Sequence, residues 1–301
     1  STSSNITKWE VVPSVIQSKL ALTYEETDKA IKTGDDHLAN NLKQLHLIAG
    51  QLRQKRLASG ALSIESPEMH IRLPNPGTVE VDVVTRATPA RLTVTEFMIL
   101  CNSLMATYFK ERDLPAIYRS QAPPDLRDLP NLPEGPLQRF HLFKRLSPSS
   151  SSLIPTPHGG LGAEQYIQVT SPLRRYTDLI MQRQINHFIY TGTSFYARNE
   201  IDSLAQRSDF QIREIAKIEE SRRRYWFLKY LQQRLYSADS ETIFLAVVLE
   251  NEERRPSLME LVEFPFRFRA RIPWSTLPGE TVSIRLIDVD LWKRFPKFVC
   301  L

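Results

Sequence analysis

The chain has 301 residues, of which 42% are hydrophobic and 24% charged, a composition that excludes wholesale disorder and collagen-like structure and suffices for two domains or one large one. Its 39 Lys+Arg against 34 Asp+Glu give a formal charge of +5, so a polyanion is a reasonable partner, while a basic protein without nucleic acid stays open.

Between Ser14 and Leu57 the apolar residues fall mostly at helical spacing. Val15 to Leu22 form a short segment, Thr23-Tyr24-Glu25-Glu26 has the pattern of a capping start, and Leu38, Leu42, Leu45, Ile48 and Leu52 mark one face of a longer helix. Leu62 to Leu73 and Thr78 to Val84 alternate apolar and polar around Pro74-Asn75-Pro76-Gly77, the pattern of a β-hairpin. Leu92 to Lys110 returns to helical spacing. Pro115 to Pro136 is rich in proline and turns, and Ser147 to Pro157 has the composition of a surface loop. A helix is expected over Glu164 to Tyr190, preceded by a glycine-rich turn and interrupted around Pro172. A long amphipathic helix follows from about Asp202 to Leu235, with eight Lys/Arg against four Asp/Glu between Arg207 and Arg234. After Ser237 the texture changes to short β-rich runs, Ile243–Leu249, Ser257–Val262, Arg267–Ile272 and Val282–Val289, separated by turns. The 64 residues from 238 to 301 suit a small barrel, an OB-fold above all.

Only Cys101 and Cys300 occur, too few for a disulfide framework or a cysteine-rich zinc site, so a reducing compartment is the default. No run of about 18 apolar residues exists, so no membrane partner is expected. The start, Ser-Thr-Ser-Ser-Asn, lacks the features of a secretory signal, and the missing initiator Met fits processing or a chain that begins mid-protein.

The most informative stretch runs from His158-Gly159-Gly160-Leu161-Gly162 through Tyr166 to Thr170-Ser171-Pro172-Leu173-Arg174-Arg175-Tyr176-Thr177-Asp178-Leu179. Pro172 is tolerated in a first helical turn, so Thr170 or Ser171 is a candidate cap, with Arg174 and Arg175 in the first turn behind it. Cations there oppose the helix dipole, and a phosphate reverses that penalty. The competing reading is a capped helix whose arginines pair with buried carboxylates such as Asp178 or Glu164. Composition does not separate the two.

This string resembles the signature of the ribonuclease II family, the 3′→5′ exoribonucleases with an RNB catalytic domain. Further resemblances follow in the family's order: Ala21-Leu22-Thr23-Tyr24, Gly60-Ala61-Leu62 continuing to Glu68, Glu96-Phe97-Met98-Ile99-Leu100-Cys101-Asn102, and Ala116-Ile117-Tyr118-Arg119. The resemblance implies an α+β chain. Residues 1–237 would be the C-terminal portion of an RNB domain, mostly helical with a small antiparallel sheet, and residues 238–301 an OB-fold RNA-binding barrel.

By the same resemblance, Arg174 would bind and stabilise the scissile phosphate, and Tyr24 would contact the RNA near its 3′ end. Glu219 would lie near the terminal nucleotide, although a helix-surface pairing with Arg222 or Arg223 is equally open. Arg175 and Tyr176 complete the candidate RNA-binding set. The family's Mg²⁺ is held by an aspartate cluster upstream of the region of Trp9, and no such cluster occurs in this sequence; Asp35-Asp36 is read as a solvated pair. The Mg²⁺ ligands are therefore expected outside the chain, in an N-terminal segment of the same protein or in another chain, and the 301 residues alone are expected not to hydrolyse RNA.

Two positions depart from the family. Thr95 stands where a glutamate is common, with a purely structural role open for Glu96, and Ile64 stands where a base-stacking phenylalanine is common. They favour an alternative, an inactive RNB-like protein that binds RNA or regulates a nuclease. His158 is read as a structural hydrogen-bonding group rather than a general base, and at least one of Arg222, Arg223 and Arg224 as structural, since consecutive helical side chains diverge by about 100°. Single-stranded RNA is the expected partner, and a bacterial cytoplasm or an organelle of bacterial descent the expected location.

Overall fold

The computed structural model describes residues 6–85, 87–237 and 242–301. In chain order the elements are α1 (Tyr24–Thr33), α2 (His37–Ala58), β1 (Glu68–Arg72), β2 (Glu80–Val84), α3 (Pro89–Glu111), β3 (Tyr118–Ser120), α4 (Pro136–Arg145), β4 (Ser150–Ser152), α5 (Tyr176–Thr191), α6 (Arg198–Tyr236), β5 (Ile243–Glu250), β6 (Ser257–Leu261), β7 (Arg267–Ala270), β8 (Thr281–Asp290) and β9 (Phe295–Cys300). The chain divides into two compact units. The first comprises Ser1–Ser63, Ala87–Asp125 and Leu146–Ile212, and the second Ile64–Arg86, Leu126–Arg145 and Arg213–Leu301. Helix α6 thus contributes its first part to one unit and its second part to the other.

Several starts are chemically explicit. Thr23 caps α1 in a full capping box: its side chain accepts from the Glu26 N–H, and the Glu26 carboxylate accepts from the Thr23 N–H. Asp36 caps α2 by accepting from the Ala39 N–H at 2.7 Å. The stretch before Thr23 departs from expectation. Residues 6–23 hold no helix, and Val15 and Ile16 are exposed, so the Val15–Leu22 segment lacks the buried face that would repay the cost of nucleating a turn. The α2 helix forms as its spacing predicts, but Ala39 and Ala49 are its buried residues while Leu38, Leu45 and Ile48 are exposed.

The first unit packs α3, α5 and the start of α6 around Phe109, Ile117, Ile167, Ile180, Met181 and Ile201. By length and hydropathy α3 is the one helix among the described residues that could cross a membrane, although the sequence holds no unbroken apolar run of that length. In the fold it is a core helix, with Glu96 ion-paired and Asn102 hydrogen-bonded at buried positions.

The second unit holds the β1–β2 hairpin, α4, the end of α6 and a five-stranded antiparallel sheet of order β7-β6-β5-β8-β9. The hairpin pairs Glu68 with Val84 and Arg72 with Glu80, as the alternation predicts. The tail forms the expected small barrel, with a strand at Phe295–Cys300 that the four predicted β runs did not include. Alternate residues Phe244, Ala246 and Val248 on β5, and Ile284 and Leu286 on β8, point inward against Phe227, Leu228 and Leu231 of α6. The barrel nearly closes where Phe268 of β7 meets Phe298 of β9, ring centroids 4.4 Å apart. Glu260, buried on β6, is held between Arg139 at 2.9 Å and Arg267 at 2.8 Å. Phe268 is 3% exposed, and its truncation removes both core contacts and the closing ring, so Phe268→Ala is expected to cost about 3–5 kcal/mol in urea unfolding.

Candidate nucleic-acid interface

The string from His158 to Asp178 lies wholly in the first unit and folds into two linked turns. The first is the glycine turn. His158 begins a short 3-10 helix over Gly159–Leu161 that ends on Gly162 in the left-handed region at φ 63°. The turn is tied to its surroundings by backbone bonds: Gly159 N–H donates to Gln121 O at 2.8 Å, Leu62 N–H to Gly160 O at 3.1 Å, and His158 N–H to Ala163 O at 2.8 Å. A Cβ on Gly159 would lie 2.4 Å from the Pro123 backbone, and one on Gly162 would lie 2.6 Å from Arg56 O. Glycine is therefore demanded by close approach as well as by φ.

Beneath this turn, Arg56 of α2 forms a forked ion pair with Glu96 of α3, and its remaining amino group donates to Leu161 O at 2.9 Å. Glu96 is thus engaged structurally, the role left open for it beside Thr95. The pair lines a cavity of about 280 Å³ together with Ser103, Thr107 and Gln165. His158 stacks edge-on against Tyr166 with centroids 5.7 Å apart, and its Nδ1 is buried without a hydrogen-bond partner among the described residues. Burial holds its imidazole below the ordinary value of 6.5, and the nearby Arg119 charge acts in the same direction.

The second turn carries the arginines. Helix α5 begins at Tyr176, not before Pro172, and its N-cap is Arg175, whose side chain makes no capping bond. The expected caps Thr170 and Ser171 lie outside the helix. Ser171 O instead accepts from Arg174 N–H at 3.2 Å and Arg175 N–H at 3.0 Å, closing a turn ahead of the helix. Asp178 fixes that turn from inside. Fully buried, its Oδ2 accepts from Ser171 N–H at 2.8 Å and from Arg175 Nη2 at 2.7 Å. Asn102 extends the support, accepting from Val169 N–H at 3.0 Å and donating to Tyr166 Oη at 2.9 Å.

The two arginines therefore divide. Arg175 faces inward onto a buried carboxylate, the structural role that composition left open, whereas Arg174 is exposed and its guanidinium has no hydrogen-bond or ion-pair partner among the described residues. Leu173 and Tyr176 flank it and are exposed as well.

The other sequence-singled residues are spread more widely. Tyr24, at the start of α1, lies under the Arg91 guanidinium, 4.3 Å from the ring centroid. Arg91 is a residue that sequence reasoning missed, since nothing in the local pattern announces a cation–π partner 67 residues away. Glu219 is exposed on α6 in the second unit, and Arg223 pairs with Glu220 at 3.8 Å. Arg224 is the inward member of the arginine triplet, donating to Arg294 O and Arg267 O. Thr95 is exposed on α3, and Ile64 is half-buried ahead of β1. Asp36 is engaged as the α2 cap, and among the described residues no group of three His, Cys, Asp or Glu could hold a metal ion. These side chains do not fit a Mg²⁺ site.

A family model for the RNB domain matches residues 1–191. The chain belongs to the RNB-domain family. Among curated relatives, this RNB chain is 29% identical over 289 residues to the chloroplastic/mitochondrial ribonuclease II of Arabidopsis thaliana, covering 93% of the chain and 35% of the relative. It is 25% identical to an uncharacterised ribonuclease of Synechocystis, covering 93% of the chain and 42% of the relative. The chain thus spans well under half the length of these two proteins.

Among solved structures it resembles an active-site mutant of the Dss1 exoribonuclease of Candida glabrata, with TM-score 0.78, 20% identity and coverage of 93% of the chain and 38% of that protein. It also resembles Mycoplasma genitalium RNase R in complex with ribose-methylated single-stranded RNA, with TM-score 0.74, 16% identity and coverage of 92% and 53%. The yeast pseudonuclease Ssd1 shares the fold more distantly, with TM-score 0.54, 15% identity and coverage of 88% and 36%. These likenesses establish the α+β arrangement of an RNB portion followed by an OB-like barrel.

Two predictions follow from the glycine turn. Gly162→Ala combines left-handed strain with a clash against Arg56 O, whereas Gly192→Ala at φ 73° meets nothing within 4 Å. The first should cost roughly 2–3 kcal/mol and the second about 1 kcal/mol in denaturant unfolding. Because burial favours the neutral His158 ring, the unfolded chain takes up that proton more readily than the folded one. Stability from this group is complete above pH 6.5 and declines as pH falls below it. The stability difference between the wild type and His158→Gln should therefore change in the variant's favour from about pH 8 to about pH 5.5; a constant difference would contradict this account.

Proposed function

We propose that the chain is the 3′-end-handling portion of an exoribonuclease that hydrolyses single-stranded RNA in the 3′→5′ direction to nucleoside 5′-monophosphates. The observation that carries this reading is the outward Arg174 guanidinium, free of any carboxylate among the described residues, on a turn anchored by Asp178. A guanidinium fork reaches two phosphate oxygens at once, keeps its proton at all working pH values, and meets the charge that develops on phosphorus as the linkage breaks. Arg175 and Asp178 position it, and Tyr176 offers an exposed ring beside it. Tyr24, braced by Arg91, would contact the sugar near the 3′ end, and Glu219 the terminal nucleotide.

Mg²⁺ in this reading is held by carboxylates outside these 301 residues, in an N-terminal segment of the same protein or another chain. The names of the relatives support ribonuclease chemistry, and their sources support a bacterial cytoplasm or an organelle as the place of work. A second reading, RNA binding without cleavage, is favoured by Thr95 and Ile64, where the family resemblance leads one to expect a carboxylate and a stacking ring.

Fluorescence anisotropy with a labelled single-stranded oligoribonucleotide tests the shared part of both readings. Arg174→Ala should weaken binding by about tenfold or more, the loss of charge-assisted contacts to phosphate. Unchanged affinity would sink the assignment of Arg174. Release of 5′-monophosphates by the chain alone, stopped by EDTA, would place the metal ligands within it and overturn that clause.

A further inference from the structure

The cavity beneath the glycine turn has no part in the Arg174 reading. All of its lining residues belong to the first unit. Helix α3 supplies one wall, because Glu96, Ile99, Ser103 and Thr107 recur three or four residues apart and so share a helix face. Leu52 of α2, Ile99 and Leu100 give the cavity aliphatic surface, while Ser103, Thr107 and Gln165 give it neutral polar groups.

The hydrogen bonding of Gln165 is incomplete. Thr107 has a single hydroxyl proton and donates it to Ser103 O at 3.3 Å, so it accepts from Gln165 Nε2, 2.7 Å away. That fixes the orientation of the amide. Its nitrogen faces Thr107, and its Oε1 is buried with no hydrogen-bond partner among the described residues. A buried carbonyl oxygen is costly until a donor reaches it. Nε2 keeps a second hydrogen in the plane of the amide, so Gln165 offers an acceptor and a donor side by side.

Charge and size narrow what could answer that pair. Four charged residues line the cavity, Lys55, Arg56, Glu96 and Glu164, and their charges sum to zero. Arg56 and Glu96 are already paired with each other, and Glu164 is an exposed carboxylate that repels a phosphate. An uncharged ligand is therefore favoured over a nucleotide or an RNA strand. Clefts for drug-sized ligands run about 300–1,000 Å³, so this cavity of about 280 Å³ suits something smaller. A glutamine amide is the complement of adenine, whose N6–H donates to its oxygen and whose N7 accepts from its nitrogen, whereas guanine and hypoxanthine present two acceptors on that edge. Aliphatic walls suit the faces of such a ring.

We propose that the cavity between α2, α3 and the glycine turn is a binding site for a free, uncharged adenine compound, the nucleoside or the base, read by Gln165. The site is distinct from Arg174, and the proposal does not depend on RNA handling by that turn.

Calorimetric titration of the 301-residue chain with adenosine provides the test. Adenosine should bind, inosine should bind at least tenfold more weakly, and Gln165→Ala should weaken adenosine by about tenfold. Ser103→Leu fills the cavity with a good helix former and should abolish binding without touching Gln165; circular dichroism and the melting temperature without ligand verify that both variants fold. Arg174→Ala should leave adenosine affinity unchanged, and Gln165→Ala should leave the affinity for an oligoribonucleotide unchanged. Absence of adenosine binding by the wild type overturns the proposal, as does equal affinity for adenosine and inosine, or full affinity in Ser103→Leu. Tighter binding of cytidine than of adenosine overturns the choice of a purine. Loss of adenosine binding in Arg174→Ala, or equal losses of oligoribonucleotide and adenosine affinity in Gln165→Ala, overturns the assignment to a free ligand and leaves the Arg174 reading standing.

Discussion

A buried carboxylate decides which way two arginines face. Asp178 is sealed in the first turn of α5, where ionised oxygen is costly unless it is paired and hydrogen-bonded. Both of its donors come from the segment just ahead of it, the Ser171 N–H and the Arg175 guanidinium. Once Arg175 is committed inward, Pro172 and the bonds from Arg174 and Arg175 N–H to Ser171 O leave the turn a single course, and the side chain at 174 emerges on its outer side. The penalty of placing a cation at a helix N-terminus is moderated in the same way: Arg175 is screened by a carboxylate three residues on, and Arg174 stands ahead of the helix rather than in it.

A second carboxylate does comparable work under the glycine turn. Glu96 on α3 fixes Arg56 on α2, and Arg56 reaches on to Leu161 O, so one ion pair joins two helices and a loop. The glycines then permit the loop to lie against Pro123 and the Arg56 backbone, closer than any side chain allows. Arg119 is a third case, bound by Asp209 and by Ser149 and Ser151. In each case, removing one partner would strand a charge in a poorly hydrated place, which makes these pairs rigid rather than strongly stabilising. Rigidity is what the phosphate-binding role proposed for the Arg174 turn would require, since such a turn must present its guanidinium without first paying to order it.

Much of this was legible because the chemistry is local. Thr23 with Glu26 specifies a capping box from four residues, the proline-glycine turn between alternating runs specifies the hairpin, and the long helix after Asp202 declares itself by period. The motif string marked the family as well. What sequence did not disclose was direction. Whether Arg174 or Arg175 faces solvent depends on the burial of Asp178, which no local pattern announces. The helix expected across Pro172 begins at Tyr176 because Ser171 N–H is taken by Asp178 and the segment before it pairs with Asn102. Val15 to Leu22, though spaced like a helix, bury no face. The last strand was obscured because Phe295-Pro296-Lys297 resembles a turn; Pro296 is tolerated there because β9 is paired with β8 alone in the sheet order.

The arginine triplet shows how composition and geometry divide the labour between binding and support. Three consecutive helical residues cannot share a face, so a run that looks like a uniform basic patch must send at least one member elsewhere. Arg224 is that member. Its guanidinium lies 4.8 Å from the Phe266 ring and gives its hydrogens to two loop carbonyls, and burial lowers its proton affinity without removing its charge at neutral pH. Carbonyls at the ends of strands have no ladder partner, and a cation satisfies them better than a neutral donor. A basic count therefore overstates the surface charge available to a polyanion. The local excess on α6 is partly spent on holding the barrel's turns, and only the cations that remain exposed contribute to the surface charge.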